Sequence, residues 1–413
     1  MASTGPEPVE GCRITSIRSH PMPRAAPQPI RPPSDQLGKE KPMGKVLVTG
    51  SQGFIGRNLA ASLSAIPGAE VLAFDVEDDP RALRERLAQA EFVFHLAGIN
   101  RPKDDAEFTR GNVDLTREVV GILRATGRPV PLLISSSIQA DQDNPYGASK
   151  RQAEELVRAY GRETGAPVFV FRLPNVFGKW SRPHYNSVVA TFCHNTARGL
   201  PLEVHDPGRE VHLVHIDDVV DGFLAALRGE PTRGAGGDPV IPRTFTITLG
   251  DLAARIGGFP ATRLTREVPD VGDELTRRLY AMYLSYLPED RFAYDLETRR
   301  DPRGWLAEFL RGPGLGQIFV SVTRPGIARG NHWHHTKAEK FLVVSGEAVI
   351  RFRQLGGTEV IEYPVSGAEP RVVDIPTGYT HSITNTGSGD LITLFWASEP
   401  FDPGRPDTHA LPV

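Results

Sequence analysis

The sequence predicts two domains of different fold class: a doubly wound α/β domain with a parallel sheet over residues 43–290, and an all-β domain over 291–413. From 45 to about 230, short apolar runs alternate with helical patterns, which is typical of parallel strands joined by crossover helices. After 290, short apolar runs are punctuated by Gly and Pro, which indicates a β-barrel or sandwich. A length of 413 residues agrees with this division, because one hydrophobic core seldom supports so long a chain.

The candidate strands are short apolar runs, and each domain has its own set. In the first domain they cover residues 46–48, 71–74, 92–96, 131–135 and 168–172. In the second domain they cover residues 317–323, 341–344, 348–352, 371–375 and 391–396. Between the two sets, 230–243 is predicted as a loop and 244–290 as a mostly helical small lobe for the substrate.

Composition narrows the class of protein. Residues 1–42 hold nine prolines and no apolar period, which predicts a disordered tail. The balance of 47 basic against 50 acidic residues argues against nucleic acid or a membrane surface as the main partner. With Cys12 and Cys193 as the only cysteines, and no apolar run long enough for a membrane span or signal peptide, we expect a cytoplasmic protein.

A glycine-rich segment after the first strand predicts a dinucleotide site. It opens a helical pattern, so the backbone can approach a pyrophosphate at the helix N-terminus. Asp75 closes the second strand about 20 residues later, where an acid binds an adenosine ribose and favours NAD. Alternatively Asp75 is a helix cap or a solvated residue of an acidic turn. The residues of this predicted site are Gly50, Gly53, Phe54, Ile55, Gly56 and Asp75.

Tyr146 and Lys150 stand four residues apart, which places them on one face of a helix. A nearby ammonium favours the phenolate, so the tyrosine can exchange a proton with a carbonyl oxygen during hydride transfer. Ser135, Ser136 and Ser137 end the preceding strand and supply a hydroxyl to hold that oxygen. On an exposed helix such a pair is usually structural, but within a dinucleotide domain it predicts a carbonyl reductase.

Residues 45–230 resemble the extended short-chain dehydrogenases that act on nucleotide sugars. The resemblance rests on segments 50–56, 95–98, 135–137, 146–150 and 172–178. It implies a Rossmann-type fold and a catalytic set of Ser137, Tyr146 and Lys150. The further contacts it implies are Leu96, Ala97, Gly98 and Lys150 to the cofactor, and Asn175, Arg209 and 187–198 to the sugar nucleotide.

Two departures from the family pattern leave assignments open. Eight residues separate Ser137 from Tyr146, which is shorter than usual and leaves the choice among the three serines open. Arg209 lies earlier than the family's usual diphosphate-binding arginine.

The second domain carries a pattern of metal ligands that fits the two motifs of the cupins, which are jelly-roll barrels. The predicted ligands are His332, His334, Glu339 and His381. His332 and His334 point to one face of a strand, whereas Glu339 has the opposite parity and needs a turn near Thr336 to join them. Three imidazoles and one carboxylate suit zinc, manganese, iron or nickel. The alternatives are a cupin without metal or surface histidines, and His335 is expected to face solvent or support a ligand.

One reaction needs both sites. A ketone on carbon 4 of a sugar acidifies the proton on carbon 3, and a metal that polarises the ketone stabilises the resulting enediolate. Reprotonation on the other face inverts carbon 3. The same ketone then accepts hydride in the reductase site, so the two domains are expected to share a substrate.

From 45 to 413 the chain resembles the CapF-type bifunctional enzymes of capsular polysaccharide biosynthesis. The resemblance rests on segments 95–102, 135–147, 283–288 and 330–337. It implies C3 epimerisation of a UDP-2-acetamido-2,6-dideoxy-hex-4-ulose, then NADPH-dependent reduction to UDP-N-acetyl-6-deoxy-L-talosamine, a UDP-FucNAc precursor. It also implies zinc and a homodimer. NADPH is the first choice of cofactor, and NADH is the alternative that Asp75 favours. The epimerisation base is unassigned among Lys337, Tyr379 and Arg329.

Two other functions compete with this one. The first is a reductase or epimerase of another nucleotide sugar, in which the cupin is structural. The second is a dinucleotide-sensing regulatory protein, which needs the fold but no chemistry. The presence of Tyr146, Lys150 and four metal ligands favours an enzyme.

Overall fold

The computed structural model describes residues 44–312 and 314–413. The predicted N-terminal tail, residues 1–42, lies outside the described residues.

A parallel sheet of five strands forms the centre of the first domain. Its strands are β1 Lys45–Thr49, β2 Glu70–Phe74, β3 Phe92–His95, β4 Leu132–Ser137 and β5 Val168–Leu173. They lie in the order β2-β1-β3-β4-β5, and every pairing is parallel. Strands β1 and β3 are buried almost throughout, as expected of central strands covered on both faces. The predicted α/β class is confirmed.

Helices cover both faces of this sheet. They are α1 Phe54–Ser64, α2 Pro80–Gln89, α3 Asp105–Phe108, α4 Leu115–Ala125 and α5 Pro145–Thr164, with a π-helix at Thr109–Asp114 and a 3₁₀ turn at Ile138–Asp141. Helices α2, α4 and α5 pack on one face through residues such as Leu83, Val119 and Val157. Helix α1 packs on the other face through Leu59 and Leu63.

The start of α5 is fixed by two local features. The Asn144 side chain accepts a hydrogen bond from the Gly147 amide, and Pro145 occupies the first turn, where its missing N–H costs nothing. The helix ends at Gly165, which has a φ of 72°. The N-terminal cap at Asn144 places Tyr146 and Lys150 in the first two turns of the helix.

A small lobe follows the sheet and mixes strands with helices. Its elements are β6 Asn175–Phe177, α6 Val188–Arg198, β7 Glu210–His215, α7 Ile216–Leu227, β8 Phe245–Thr248, α8 Leu249–Gly258, α9 Thr262–Thr265 and α10 Glu274–Ser285, with 3₁₀ turns at Phe259–Ala261 and Glu289–Arg291. Strands β6, β7 and β8 form a small separate sheet. The region 244–290 is therefore mostly helical, as predicted, except that it begins with a strand.

The second domain consists of two antiparallel sheets that face each other. The strands are β9 Thr298–Asp301, β10 Gly304–Gly312, β11 Gly316–Thr323, β12 Ala328–Trp333, β13 Glu339–Ser345, β14 Glu347–Gln354, β15 Val360–Ser366, β16 Val372–Ile375, β17 Tyr379–Asn385, β18 Leu391–Ala397 and β19 His409–Ala410. The sheet orders are β16-β13-β18-β11-β10-β9 and β15-β14-β17-β12-β19. Their shared core includes Phe341, Ile350 and Phe395, so the predicted all-β class is confirmed.

Backbone hydrogen bonds join the lobe to this β-domain. The Arg311 amide donates to the Arg266 carbonyl at 2.8 Å, and the Val268 amide donates to the Arg311 carbonyl at 2.9 Å. Within residues 44–312 and 314–413, no helix combines the length and apolar character that a membrane crossing requires.

Candidate functional site

The glycine-rich loop between β1 and α1 forms a tight cradle. Gly50 has a φ of +68°, and a Cβ added there would lie 2.7 Å from the Ala97 backbone nitrogen. A Cβ on Gly56 would lie 2.1 Å from the Gly50 carbonyl oxygen, so helix and loop touch through glycine alone. Gly53 caps α1, and the amides of Phe54 and Ile55 are at its free N-terminus. A pyrophosphate fits such a cradle of backbone N–H groups.

Asp75 lies at the end of β2 beside this cradle. Its carboxylate accepts from the Gln52 amide at 2.7 Å and from the Val76 amide at 2.9 Å, so it braces the glycine loop. Arg86, which the sequence analysis did not single out, lies against the Phe74 ring and pairs with Asp78 at 2.9 Å. No local sequence signal marks Arg86, because α2 brings it back to Phe74, at the end of β2, from twelve positions further along the chain.

The predicted catalytic residues meet at the carboxyl end of β4. Tyr146 Oη donates to Asn100 Oδ1 at 3.2 Å, and the Lys150 ammonium lies 5.8 Å from the Tyr146 ring centroid. Burial raises the pKa of Tyr146 above its usual value, and the nearby Ser137 hydroxyl only partly opposes that shift. Burial lowers the pKa of Lys150 to about 8, and the charge of Glu154 opposes that shift. At neutral pH the lysine is thus a cation beside a protonated phenol, which is the state that a proton donor requires.

The three serines of β4 have different surroundings. The Ser136 hydroxyl donates to Glu154, a buried carboxylate that also pairs with Arg172 at 2.7 Å. Ser135 offers its carbonyl to the Lys150 ammonium at 3.3 Å. Ser137 Oγ accepts from the Gln139 amide at 3.2 Å and is near enough to Tyr146 to influence its pKa, so among the three serines it is the best placed to share a substrate oxygen with the tyrosine.

Asn112 is a site residue that the sequence analysis missed. It lies buried in the π-helix. Its side-chain oxygen accepts from the Ile99 amide at 2.9 Å, and its side-chain nitrogen donates to the Ser149 hydroxyl at 3.0 Å. A Cβ on Gly98 would lie 2.7 Å from Asn112 Oδ1 and 3.3 Å from Lys150 Nζ. Asn112 therefore holds the loop that carries Leu96, Ala97 and Gly98 against Lys150. A π-helix has no sequence period that would reveal it.

A cleft of about 720 Å³ is lined largely by residues of the lobe. Asn175 and Arg209, the two residues predicted to contact the sugar nucleotide, both line it. Arg101 lines the same cleft and follows Asn100, the partner of the Tyr146 hydroxyl, directly in the chain. One residue of the cleft lining thus adjoins, along the chain, the hydrogen-bond partner of Tyr146.

The four predicted metal ligands converge inside the β-domain. One ligand atom from each of His332, His334, Glu339 and His381 lies within 4.8 Å of the others. A bulge in β12 between Gly330 and His332 sets His332 opposite His381 on β17, and a turn after His334 brings in Glu339, as predicted. His335 is exposed and lies outside the group.

The electrostatics of this group fit a cation. In the part of the chain that the structure describes, His334 Nε2, Glu339 Oε2 and both ring nitrogens of His381 are buried without a hydrogen-bond partner. Burial lowers the pKa of His332 to about 4, so the imidazole is neutral near pH 7. Burial alone would raise the pKa of Glu339, but the facing His334 and His381 lower it instead. A neutral imidazole at His332, a buried carboxylate and buried side-chain atoms without hydrogen-bond partners are what a divalent metal satisfies.

A cavity of about 240 Å³ adjoins the metal ligands. Lys337 and Arg329, two of the three candidate bases, line it. Tyr379, the third candidate, packs against the barrel core instead.

Comparison with known proteins places both halves of the chain. Residues 46–238 match the NAD dependent epimerase/dehydratase family, and residues 299–409 match the polysaccharide biosynthesis C-terminal domain. The UDP-2-acetamido-2,6-beta-L-arabino-hexul-4-ose reductase of Pseudomonas aeruginosa is 45% identical over 369 residues, which are 89% of this chain and 99% of that protein.

Two solved structures are similar over the same share of the chain. The capsular polysaccharide assembling protein CapF from Staphylococcus aureus is 46% identical, with a TM-score of 0.85 over 89% of this chain and 100% of its own. CapF with the inhibitor 3-isopropenyl-tropolone is 40% identical, with a TM-score of 0.80 over 89% and 100% of the two chains.

Proposed function

This chain belongs to the family of CapF and the UDP-2-acetamido-2,6-beta-L-arabino-hexul-4-ose reductases, a family of nucleotide-sugar enzymes, and we propose that it performs two successive reactions on one ketone. The β-domain epimerises C3 of a UDP-2-acetamido-2,6-dideoxy-hex-4-ulose. The first domain then reduces the C4 ketone to give UDP-N-acetyl-6-deoxy-L-talosamine. The observation that carries this proposal is one chain with both a tyrosine–lysine reductase site and a four-ligand metal group, each suited to the same carbonyl.

In the reduction, this chain supplies the proton and holds the ketone. Tyr146 donates its hydroxyl proton to the C4 oxygen while Ser137 hydrogen-bonds that oxygen, and the Lys150 cation stabilises the phenolate that remains. The glycine cradle binds the nicotinamide dinucleotide, which supplies the hydride when bound. Asn175 and Arg209 hold the nucleotide sugar in the cleft.

We propose NADPH as the reductant. Asp75 braces the glycine loop with both carboxylate oxygens, which supports a structural role for it. Arg86 lies at the end of β2, near where a ribose 2′-phosphate belongs in this fold. NADH remains the alternative if Asp75 binds the ribose instead.

For the epimerisation, we propose that the four converging side chains bind a divalent ion and that this ion is zinc. When bound, the ion supplies a Lewis acid that acidifies the C3 proton. His332, His334, Glu339 and His381 hold it, and Lys337 and Arg329 lie where they contact a substrate in the cavity. The inhibitor of CapF also supports a metal, since a tropolone carries neighbouring carbonyl and hydroxyl oxygens of the kind that chelate metals.

The proposal is tested by incubating the protein in deuterated water with the UDP-4-keto-6-deoxy sugar, without cofactor and then with NADPH or NADH. We expect deuterium at C3 without cofactor, because the β-domain acts alone, and a reduced, labelled product once NADPH is added. NMR and mass spectrometry locate the label. Reduction with no label would leave a plain reductase with a structural β-domain.

We also propose a homodimer formed through the outer face of the six-stranded sheet. Val372, Leu342, Leu394 and Val320 form an apolar row across four strands by direct cross-strand pairing. Val372 is 56% exposed and Leu394 is 36% exposed. A row of this kind marks an interface, and under a twofold axis it meets its own copy.

Placing a charge in this row is expected to dissociate the dimer. In L394E, each interface would bury carboxylates against an apolar face, which costs several kcal/mol. Light scattering should then report a monomer, whereas the control V360E, on the other sheet and also exposed, should remain a dimer. A wild-type protein that is already monomeric at micromolar concentration would refute this interface.

A further inference from the structure

The last residues of the chain run along β12, the strand that carries His332 and leads into His334. We call residues 402–411 the C-terminal strap. Within it, β19 pairs with β12, so that Ala410 lies opposite His332 and His409 opposite Trp333. The Leu411 amide also donates to the Asn331 carbonyl at 2.9 Å. The strap therefore covers the edge of the sheet where two of the ligands lie.

The carboxylate of Asp407, in the strap, accepts hydrogen bonds from the turn between His334 and Glu339. Asp407 accepts the backbone amides of His335 at 2.8 Å and of Thr336 and Lys337 at 2.9 Å each. These three residues are the turn that connects His334 to Glu339. Three N–H donors converging on one carboxylate are charge-assisted hydrogen bonds, stronger than neutral ones, so they hold the turn in a single geometry.

The main chain of the same residue holds a ligand directly. The Asp407 carbonyl oxygen lies within hydrogen-bond distance of His334 Nδ1. An imidazole that donates Nδ1–H to a carbonyl keeps its lone pair on Nε2, and His334 Nε2 is the buried nitrogen that faces Glu339 at 3.4 Å. Next to it, Lys337 Nζ donates to the Pro406 carbonyl at 2.8 Å.

We propose that Asp407 is a positioning residue of the metal centre: through its carbonyl it fixes the tautomer and direction of His334, and through its carboxylate it fixes the turn that presents Glu339. The inference rests on the proposed function, because it requires that the four ligands bind a metal. Asp407 acts from a segment that joins the site only in the folded chain, about seventy residues after His334.

The backbone at Asp407 guides the choice of variants. Its φ is +37°, a region that asparagine tolerates better than alanine. D407N keeps the side-chain volume but replaces one accepting oxygen with a donor, so part of the turn loses its partner. D407A removes the three amide contacts and also the one from the Thr336 hydroxyl at 3.2 Å. The matched control is D402N, in the same strap, where the carboxylate accepts from the Gly404 amide at 2.8 Å, away from the ligand turn.

The test measures metal binding by the full-length protein. Zinc affinity is determined by competition with a chromophoric chelator, and cobalt(II) substitution reports the ligand geometry through its visible absorption bands. We expect D407A to bind zinc roughly 10–100-fold more weakly than the wild type, which is the usual cost of losing a partner of a metal ligand. D407N should show a smaller loss, both variants should shift the cobalt bands, and D402N should match the wild type.

Thermal unfolding of the metal-free variants measures their stability, and so distinguishes an effect on the metal ligands from a general loss of stability. A variant that loses stability but keeps wild-type zinc affinity and cobalt bands would overturn the inference. Equal zinc affinity in all four proteins would overturn it too, while leaving the metal assignment in place. A wild-type protein that binds no zinc or cobalt would instead overturn the metal assignment and this inference with it.

Discussion

Y146F is expected to lower the rate of ketone reduction by roughly 10²–10⁴-fold, the usual contribution of a general acid. Phenylalanine keeps the ring, which packs on Phe108 with 5.5 Å between centroids, but removes the only proton that Tyr146 can donate. The rate is measured by NADPH oxidation with an already epimerised ketone. Deuterium exchange at C3 should persist, because that step belongs to the β-domain.

The control for this prediction is Y294F. Tyr294 is 47% exposed and stacks on Arg263 in the lobe, so its hydroxyl has no part in the proposed chemistry. We expect wild-type reduction from Y294F. If Y146F reduces the ketone within about threefold of the wild type, another proton donor operates and our assignment of Tyr146 is wrong.

H381A is expected to abolish C3 exchange and to weaken metal binding by more than the roughly 10–100-fold that losing a partner of a ligand costs. His381 is fully buried and pairs directly with His332, so its loss removes one of four ligands and leaves a gap at the centre. Reduction of an already epimerised ketone should survive, since the reductase residues come from the first domain. Metal content by mass spectrometry and C3 exchange by NMR check the two halves of this prediction.

Because a buried alanine can also destabilise the barrel, H332A provides a second variant at a less buried ligand. H335A is the matched control: His335 adjoins His334 in sequence, is exposed and meets the Trp333 ring edge to face instead of joining the candidate metal ligands. We expect H332A to behave like H381A, and H335A to behave like the wild type. Exchange that persists in metal-free H381A and H332A would refute a metal-dependent epimerisation.

Much of the architecture follows from local patterns. The strand at 46–48, the glycines after it and the helix they open form one continuous signal, because a phosphate cradle needs its strand, loop and helix in unbroken order. Tyr146 and Lys150 share a face because one helix carries both. His332, His334 and Glu339 lie within eight positions, so strand parity and one turn suffice to predict their convergence.

What the sequence could not decide depends on contacts between distant segments. Ser137 differs from Ser135 and Ser136 only in which neighbour each meets in the folded chain, and those neighbours come from α5. Arg86 reaches β2 through a helix, and Asn112 reaches Gly98 through a π-helix that has no sequence signature.

The sequence by itself determined the two fold classes, and it predicted the glycine loop, the tyrosine–lysine pair and the four residues that converge as candidate metal ligands, because each rests on residues near one another in the chain or on a strong spacing. The tertiary structure alone decided which serine faces Tyr146 and how His334 is held. His334 meets Asp407 across a separation that no local period spans, since strand and helix periods relate only near neighbours.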